Sequence, residues 1–365
     1  MKKLIFFAAA ATLFIVSCNK ENPAPKGQNL VFKASIENAD AKATLGEDLS
    51  VNWTKGDKIG IWVADAGWTT KNQPFTLVGD GGSAQGEFQY DHGDFDATEP
   101  KYAFFPWQGN SSDDNNVYEE TLYFKMKGGA YYDYVSGQLL TPLVAALAEN
   151  DPTDIHFKFV GGAVKVSVKG VPGSVHSIGM TIPGFNIHED FSVNPEEAGT
   201  CSVAATEGEN SSVWLNFATA EEARDFDFVF PVPTVAAEKI LFEMWDADNI
   251  CVWSGKAKNA TIGRGEALVM PELTFSYKYP KFTEASANDI CGSFTNNWSE
   301  GLALLTDGNW DLAKNVEIPA GGEFKVRING SWDEAYPGSN YVVNEEGTYN
   351  ILYNRSSHEI KLIKL

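Results

Sequence analysis

Residues 162–170 read GAVKVSVKG, a run in which apolar and polar side chains alternate. This period of two is typical of a β-strand with one buried face and one solvent-exposed face. Two further runs, FDFVFPV at 226–232 and ILFEMW at 240–245, are short, aromatic and bordered by turn residues. Because short strands of this kind dominate the chain, the sequence predicts an all-β fold built of sandwiches.

Only two stretches have a helical pattern. Residues 138–149 (QLLTPLVAALAE) form an apolar run long enough for a short helix, and residues 220–224 are a second candidate. Pro142 lies inside the first stretch, so we expect that helix to begin there, with Thr141 as its N-cap. With 365 residues, the chain has room for two or three domains.

The charge of the chain argues against one class of partner. The formal net charge is −21 at pH 7 and the sequence pI is about 4.6. Nucleic-acid binding requires a basic surface that neutralises phosphates, so we expect no nucleic-acid partner. The hydrophobic fraction of 43% is enough to form packed cores, which excludes a disordered chain.

The N-terminus has the features of an export signal. Lys2 and Lys3 precede an apolar run at residues 4–16, which is too short to span a membrane as a helix, and Ser17-Cys18 follows. This arrangement resembles the lipobox of bacterial lipoproteins, which implies cleavage before Cys18 and a lipid on its thiol. The alternative is an ordinary secretory signal. We therefore assign residues 1–17 to a lipoprotein signal peptide and the polar, proline-containing residues 18–29 to a tether.

Several motifs between residues 30 and 276 occur in a recognisable order. They are KATL at 42–45, VNWTKGDKIGI at 51–61, YAFFP at 102–106, IHFKF at 155–159 with GAVKVSV at 162–168, FDFVFPV at 226–232 and RGEAL at 264–268. Their order resembles that of the fimbrillin-like surface lipoproteins of Bacteroidetes. The resemblance implies two transthyretin-like β-sandwich domains in tandem, at residues 30–153 and 154–276. Residues 277–289, which lack periodicity and contain Pro280, are predicted to be a linker.

The pattern changes at residue 290. Predicted strands at 315–318 and 323–328 flank the turn PAGG, and a final pair is predicted at 348–353 and 359–363. The motifs of this region are GSF at 292–294, NW at 297–298, DGNW at 307–310, AGGEFKV at 320–326 and EGTY at 346–349. They resemble the carbohydrate-binding domains of the SusE/SusF outer-membrane lipoproteins. The resemblance implies that residues 290–365 form a small immunoglobulin-like β-sandwich that binds glycans.

By that resemblance, Trp298 and either Trp332 or Tyr336 would stack on sugar rings. Lys325 and Arg327 would donate hydrogen bonds to sugar hydroxyls, and their spacing of two places them on one face of a strand. The alternatives are that the tryptophans belong to the core and that Lys325 and Arg327 lie on a solvated sheet face. Trp310, which precedes a predicted strand, is expected in the core. Trp332 lies in the loop sequence GSWD and is expected to be exposed.

The sequence provides no motif of a catalytic or metal site. HExxH, GxSxG, phosphate-loop and dinucleotide-binding patterns are absent, and the five histidines are scattered. Apart from Cys18, the cysteines are Cys201, Cys251 and Cys291, and their spacing matches no zinc or redox motif. We therefore expect no enzyme activity, no cofactor and no metal, with these thiols either buried and inert or joined in one bridge.

Two functions follow from these observations. The first is a lipid-anchored, surface-exposed outer-membrane protein whose partners are a polysaccharide or host glycan and the membrane lipid attached through Cys18. The second is a fimbrial anchor, accessory or tip subunit that assembles with other fimbrial or surface lipoproteins by strand complementation. In fimbrillin-like pilins, arginine-specific proteolysis releases an N-terminal strand, but this chain has no arginine before Arg224. An uncleaved subunit would then stand at the base of a fibre or act alone.

Overall fold

The computed structural model describes most of the chain from Val31 onward. The described residues are 31–37, 52–63, 72–91, 100–107, 115–118, 121–125, 131–133, 143–147, 151, 153–187, 190–194, 202–208 and 210–365. The predicted signal peptide, Cys18, the tether, Cys201 and the motif at 42–45 lie outside them. All regular structure in the described residues is β-strand, which confirms the all-β prediction.

The strands are numbered in chain order. The first ten are β1 (Val31–Ile36), β2 (Lys58–Val63), β3 (Asn72–Leu77), β4 (Gln85–Tyr90), β5 (Pro100–Phe105), β6 (Asn115–Tyr118), β7 (Thr121–Lys125), β8 (Tyr131–Asp133), β9 (Leu143–Ala146) and β10 (Asp154–Phe159). The next eleven are β11 (Gly162–Val171), β12 (Val175–Thr181), β13 (Phe185–Asn186), β14 (Asp190–Val193), β15 (Thr206–Glu207), β16 (Ser212–Asn216), β17 (Arg224–Val232), β18 (Val235–Asp246), β19 (Cys251–Ile262), β20 (Ala267–Val269) and β21 (Leu273–Thr274). The last seven are β22 (Glu284–Gly292), β23 (Leu302–Asp307), β24 (Trp310–Ile318), β25 (Gly322–Ile328), β26 (Ser331–Val343), β27 (Gly347–Asn354) and β28 (Ile360–Lys364).

The N-terminal strands form a sheet that closes on itself in the order β1-β10-β9-β5-β2-β3-β4. Its interior is aromatic, with Trp53 in edge contact with Phe88, Phe105 and Phe157 at centroid distances of 4.9, 5.3 and 5.6 Å. Such pairs add specific geometry to the burial of large apolar surfaces. The strand β1 lies between β4, to which it is antiparallel, and β10, to which it is parallel.

The middle of the chain forms a sandwich. One layer has the order β17-β11-β20, and the other has the order β19-β18-β12-β16-β8. Inward residues of both layers share one core, including Val164 and Phe228 from the first layer and Ile178 and Phe242 from the second. The alternating run GAVKVSVKG is the strand β11, as predicted.

Neither predicted helix is present in the described residues. Residues 143–146 form the strand β9, residues 220–223 are irregular, and Arg224 begins β17. The strand β9 lies between β10 and β5, and its first three residues are buried. A strand covered on both faces has no alternation, so its apolar run cannot be distinguished from a helix by periodicity.

The predicted division between the first two domains, at residues 153 and 154, is crossed by strand pairing in both directions. The strand β10, assigned above to the second domain, pairs with β1 and β9 of the first sheet, and its apolar side chains enter that core. The strand β8, assigned to the first domain, pairs with β16 of the second. The predicted linker at 277–289 is also structured, because β22 begins at Glu284 and Tyr279 and Phe282 are buried.

The C-terminal strands form one antiparallel sheet of seven strands in the order β26-β25-β22-β23-β24-β27-β28. The predicted strands at 315–318, 323–328, 348–353 and 359–363 lie within β24, β25, β27 and β28, apart from Glu359, which precedes β28. Side chains from β22 to β27 enclose one core that includes Ile290, Phe324, Val326 and Ile351. The sheet bends over this core, because Tyr336 of the edge strand β26 stacks with Tyr353 of β27.

The C-terminal sheet also packs against the middle sandwich. Trp310 is 8% exposed and joins the core of that sandwich together with Leu312 and Leu352. The ammonium of Lys361 pairs with Asp248 and lies 5.3 Å from the Trp310 ring centroid. Trp310 is therefore a core residue, as predicted, and it contributes to a core shared by the two units.

Candidate functional site

The candidate site lies where β25 turns into β26. The turn is Asn329-Gly330, and both residues have positive φ values of 50° and 66°. Asn-Gly with two positive φ values is typical of a type I′ hairpin, whose twist suits antiparallel strands. The turn pairs Ile328 with Ser331 and so begins β26 directly beside the predicted site residues.

The strand β26 leaves regular pairing immediately after this turn. One step along β25, from Ile328 to Arg327, corresponds to four steps along β26, from Ser331 to Ala335. The intervening residues Trp332, Asp333 and Glu334 are exposed. Bulges redirect side chains away from the sheet, and this one projects Trp332, which is 49% exposed as predicted.

A second irregularity lies further along the same strand. Two steps along β25, from Val326 to Phe324, correspond to five along β26, from Tyr336 to Tyr341. The ammonium of Lys325 donates a hydrogen bond of 2.6 Å to the Gly338 carbonyl in the extra residues. Lys325 therefore fixes this second bulge, which carries Asn340 towards the same side as Trp332.

Trp298 is brought to the site by the segment between β22 and β23. Asn296, Asn297 and Trp298 have consecutive positive φ values of 45°, 47° and 69°. The Trp298 amide donates to the Gly292 carbonyl at 2.8 Å, and the Cys291 thiol donates to the Trp298 carbonyl at 3.1 Å. A bulky residue in the left-handed region costs about 1–2 kcal/mol, so this hydrogen-bonded turn holds a strained residue in place.

The two indole rings lie side by side. The Trp298 and Trp332 ring centroids are 5.9 Å apart, and the ring planes meet at 46°. The rings border an open cleft of about 460 Å³, which is lined by Trp298, Lys325, Trp332, Asp333, Ala335 and Asn340. The cleft therefore combines two aromatic surfaces with one cation, one carboxylate and one amide.

Arg327 is placed differently from Lys325. Its guanidinium donates to both carboxylate oxygens of Asp289, with Nε–Oδ1 and Nη2–Oδ2 distances of 2.8 and 2.6 Å. This paired carboxylate raises the pKa of the Arg327 guanidinium. The guanidinium carbon lies 5.0 Å from the Trp332 ring centroid, and Arg327 is not among the residues that line the cleft.

Tyr336 does not join the two tryptophans. It pairs with Val326, whose side chain enters the core, and it packs against that core itself. Its ring stacks on His358 at a centroid distance of 3.7 Å and an interplanar angle of 8°. Because side chains alternate between the two faces of a strand, Tyr336 lies on the face opposite Lys325 and Arg327.

The structure thus brings together four of the five predicted site residues and separates Tyr336. Asp289, Asp333 and Asn340 belong to the same region and were not identified from the sequence. The dipeptide Asn329-Gly330 was the available signal, since it predicts a hairpin that returns the chain past Arg327. The bulges that expose Trp332 and Asn340 have no comparable sequence signal.

The described residues, whose ranges and gaps are given above, also include cysteines and acidic groups away from the cleft. Within these ranges, no cluster of three or more His, Cys, Asp or Glu residues is arranged to hold a metal ion. Cys251 and Cys291 are buried and unpaired, and burial raises the pKa of the Cys251 thiol to about 12. No described helix is long and apolar enough to cross a membrane.

No family model matches the chain, and no curated protein matches its sequence. Solved structures that are similar to the chain include cell adhesion and fimbrial proteins. A candidate cell adhesion protein of Bacteroides ovatus is 15% identical, with coverage of 68% of this chain and 93% of that one and a TM-score of 0.39. A fimbrial assembly protein of Parabacteroides distasonis is 10% identical, with coverage of 92% and 100% and a TM-score of 0.29.

A third similar structure is the fimbrial anchor protein Mfa2 of Porphyromonas gingivalis. It is 11% identical, with coverage of 62% of this chain and 82% of that one and a TM-score of 0.24. The structural neighbours of the chain are thus fimbrial and adhesin-like proteins.

Proposed function

We propose that the chain is a non-catalytic surface lipoprotein whose C-terminal module binds a polysaccharide or host glycan in the Trp298–Trp332 cleft. The observation that carries this proposal is the pair of indole rings 5.9 Å apart beside Lys325 and Asp333. Trp332 is an exposed tryptophan next to a half-buried one, and exposed aromatic surface of this kind often marks a binding site.

The polar groups of the cleft suit hydroxyl groups. The Lys325 ammonium has three donors and uses one on the Gly338 carbonyl, so others remain for a ligand. Asp333 supplies carboxylate acceptors, and Asn340 donates its amide to Glu323 while its own carbonyl oxygen can accept. A sugar ring presents both an apolar C–H face for the indoles and hydroxyls that donate and accept.

The test is affinity electrophoresis of the full chain through gels containing starch, laminarin or yeast mannan. Trp332→Ala removes one stacking surface, which is worth about 1–3 kcal/mol by analogy with base stacking. We therefore expect a roughly 5- to 150-fold loss of affinity for the retained polysaccharide. Val342→Ala is the matched control, because Val342 lies on the same strand and is 47% exposed. Equal retention of both variants and the unchanged protein would contradict the proposal.

We also propose that the protein is held at the outer membrane by lipid on Cys18, in line with the lipobox-like sequence before it. Cells grown with an alkyne-bearing fatty acid should yield labelled protein, and Cys18→Ser should yield unlabelled protein. Label that persists in the Cys18→Ser variant would locate the modification elsewhere.

A fimbrial anchor, accessory or tip role is the second proposal. It is favoured by β1, which lies between β4 and β10 and closes the first sheet, so its release would open a groove for another strand. Electron microscopy of cells with and without the gene tests this role. Fibres that disappear with the gene support it, and unchanged fibres or none in either strain oppose it.

A further inference from the structure

Asp289 and Arg327 are placed directly opposite each other by the pairing of β22 with β25. Their side chains are 19% and 14% exposed, and two parallel hydrogen bonds join them. A bidentate arginine–carboxylate pair fixes the plane of the guanidinium as well as its position. The pair is therefore a rigid element beneath the cleft.

Two backbone segments enclose this pair. A Cβ atom at Gly301 would lie 1.9 Å from the Asp289 Oδ2 atom and 2.8 Å from the Arg327 Nη2 atom, so a larger residue there would displace the ion pair. A Cβ atom at Gly330 of the hairpin turn would lie 3.7 Å from the same Asp289 oxygen. The ion pair thus contacts both the segment that carries Trp298 and the turn that precedes Trp332.

The guanidinium of Arg327 lies over the Trp332 ring. Its carbon is 5.0 Å from the indole centroid, within the range of a cation–π contact. Trp332 lies in a three-residue bulge, so the ladder of β25 and β26 does not fix its ring. The cation–π contact with Arg327 fixes the orientation of the Trp332 ring instead.

We infer that Asp289 and Arg327 form a positioning pair that sets the orientation of Trp332 beside Trp298, and that Arg327 does not bind the ligand. This inference deepens the proposed function. The orientation of Trp332 does not depend on that function, and only the expected effect on glycan affinity rests on it. Arg327, which was predicted to donate to sugar hydroxyls, thereby takes a positioning role, and Lys325 supplies a cation to the cleft. Asp289 becomes part of the site although it lies outside the cleft.

The orientation can be measured without any ligand. Two indoles this close and inclined at 46° couple their electronic transitions, which gives a paired positive and negative band in circular dichroism. Trp214 and Trp245, whose ring centroids are 6.3 Å apart, couple as well, so the signal of the cleft is the part of the paired band that Trp298→Phe and Trp332→Phe remove. We expect Arg327→Met and Asp289→Asn to reduce the paired band by more than half, while Val342→Ala, at an exposed residue of the strand that carries Trp332, leaves it unchanged.

A second pair of variants tests the same contact in case the arginine and aspartate variants fail to fold. Gly301→Ala pushes against the ion pair and should reduce the band, whereas Gly338→Ala has no atom within 4 Å of its new Cβ and should leave it unchanged. Thermal melts of the full chain establish that each variant is folded. An unchanged band in folded Arg327→Met and Asp289→Asn would overturn the inference.

Retention on polysaccharide gels separates this inference from the proposed function. A positioning role predicts that Arg327→Met loses more than half of the paired band and weakens retention as much as Trp332→Ala, about 5- to 150-fold. Weakened retention with an intact band would show that Arg327 binds the ligand directly and would overturn the inference. If the unchanged protein binds no polysaccharide but the band responds as expected, the positioning pair stands and the proposed function fails.

Discussion

Asp246 should make the protein less stable at neutral pH than at pH 5, and Asp246→Asn should remove that difference. Asp246 ends β18 and is 7% exposed. Its Oδ1 atom accepts hydrogen bonds from the Asp248 and Ile250 amides, both at 3.0 Å. Burial, reinforced by the neighbouring Asp248 carboxylate, raises the pKa of the Asp246 carboxyl from 3.8 to about 6.

The sign of the effect follows from proton binding. Between pH 3.8 and about 6 the folded state holds a proton on Asp246 that the unfolded chain has released. Stability from this group is therefore present at low pH and is lost as the pH rises through that window. At about 1.4 kcal/mol for each tenfold change, the full difference is on the order of 3 kcal/mol.

The substitution retains most of the local structure. The asparagine Oδ1 can accept the same two amide hydrogen bonds, and the charge that burial disfavours is absent. The attraction between the carboxylate and Lys361 is lost as well, so we expect a gain of about 1–3 kcal/mol at pH 8. At pH 5 the unfolded chain has already released its proton while the folded state still holds it, so about half of that gain is present at pH 5 and the rest appears between pH 5 and pH 8.

The assay is urea unfolding of the full chain at pH 5 and pH 8, followed by tryptophan fluorescence. Comparing the two proteins at each pH cancels the titration of the other carboxylates. Asp333→Asn is the control, because Asp333 is exposed and its substitution should change neither value. A gain of equal size at both pH values, or a loss at pH 8, would refute the role assigned to the buried carboxyl.

Two further predictions concern the C-terminal unit. Trp310→Ala should lower the free energy of unfolding by about 3–5 kcal/mol, because Trp310 is 8% exposed in a core shared with the middle sandwich. The exposed Trp332 is the control, and Trp332→Ala should lower the free energy of unfolding by less than about 1 kcal/mol. Thermal and urea unfolding distinguish these values. Polygalacturonate should be retained at least tenfold more weakly than a neutral polysaccharide in the same gels. The Asp333 carboxylate in the cleft offsets the charge of Lys325 and the chain carries a net charge of −21, so a polyanion is repelled. Stronger retention of polygalacturonate would contradict this.

The sequence predicted those elements whose side chains alternate between two environments. The strand β11 has one buried face, and its alternating residues identified it directly. The strand β9 is covered on both faces, so its apolar residues indicated a helix instead. The first residues of β22, from Glu284, were assigned to a linker because most of them are exposed and their side chains show no periodic pattern.

Within the site, the exposure of single side chains was easier to predict than the positions of these side chains relative to one another. The polar neighbours of Trp332 correctly indicated an exposed ring, and the position of Trp310 before a strand correctly indicated a buried one. The partner of Arg327 was not predictable, because Asp289 is 38 residues away and meets it only through strand register. Tyr336 was misplaced because a bulge changes which residues of β26 share a face.

The irregular strand β26 also affects what can attach to the protein. It is an outer strand of the C-terminal sheet, and outer strands present unpaired backbone groups on which another chain can add a strand. Two groups of extra residues interrupt that row of backbone donors and acceptors. The regular stretches between them are too short for a continuous ladder of hydrogen bonds with another chain. The feature that exposes Trp332 therefore also protects this edge from aggregation and makes it a poor place for one molecule to polymerise onto the next.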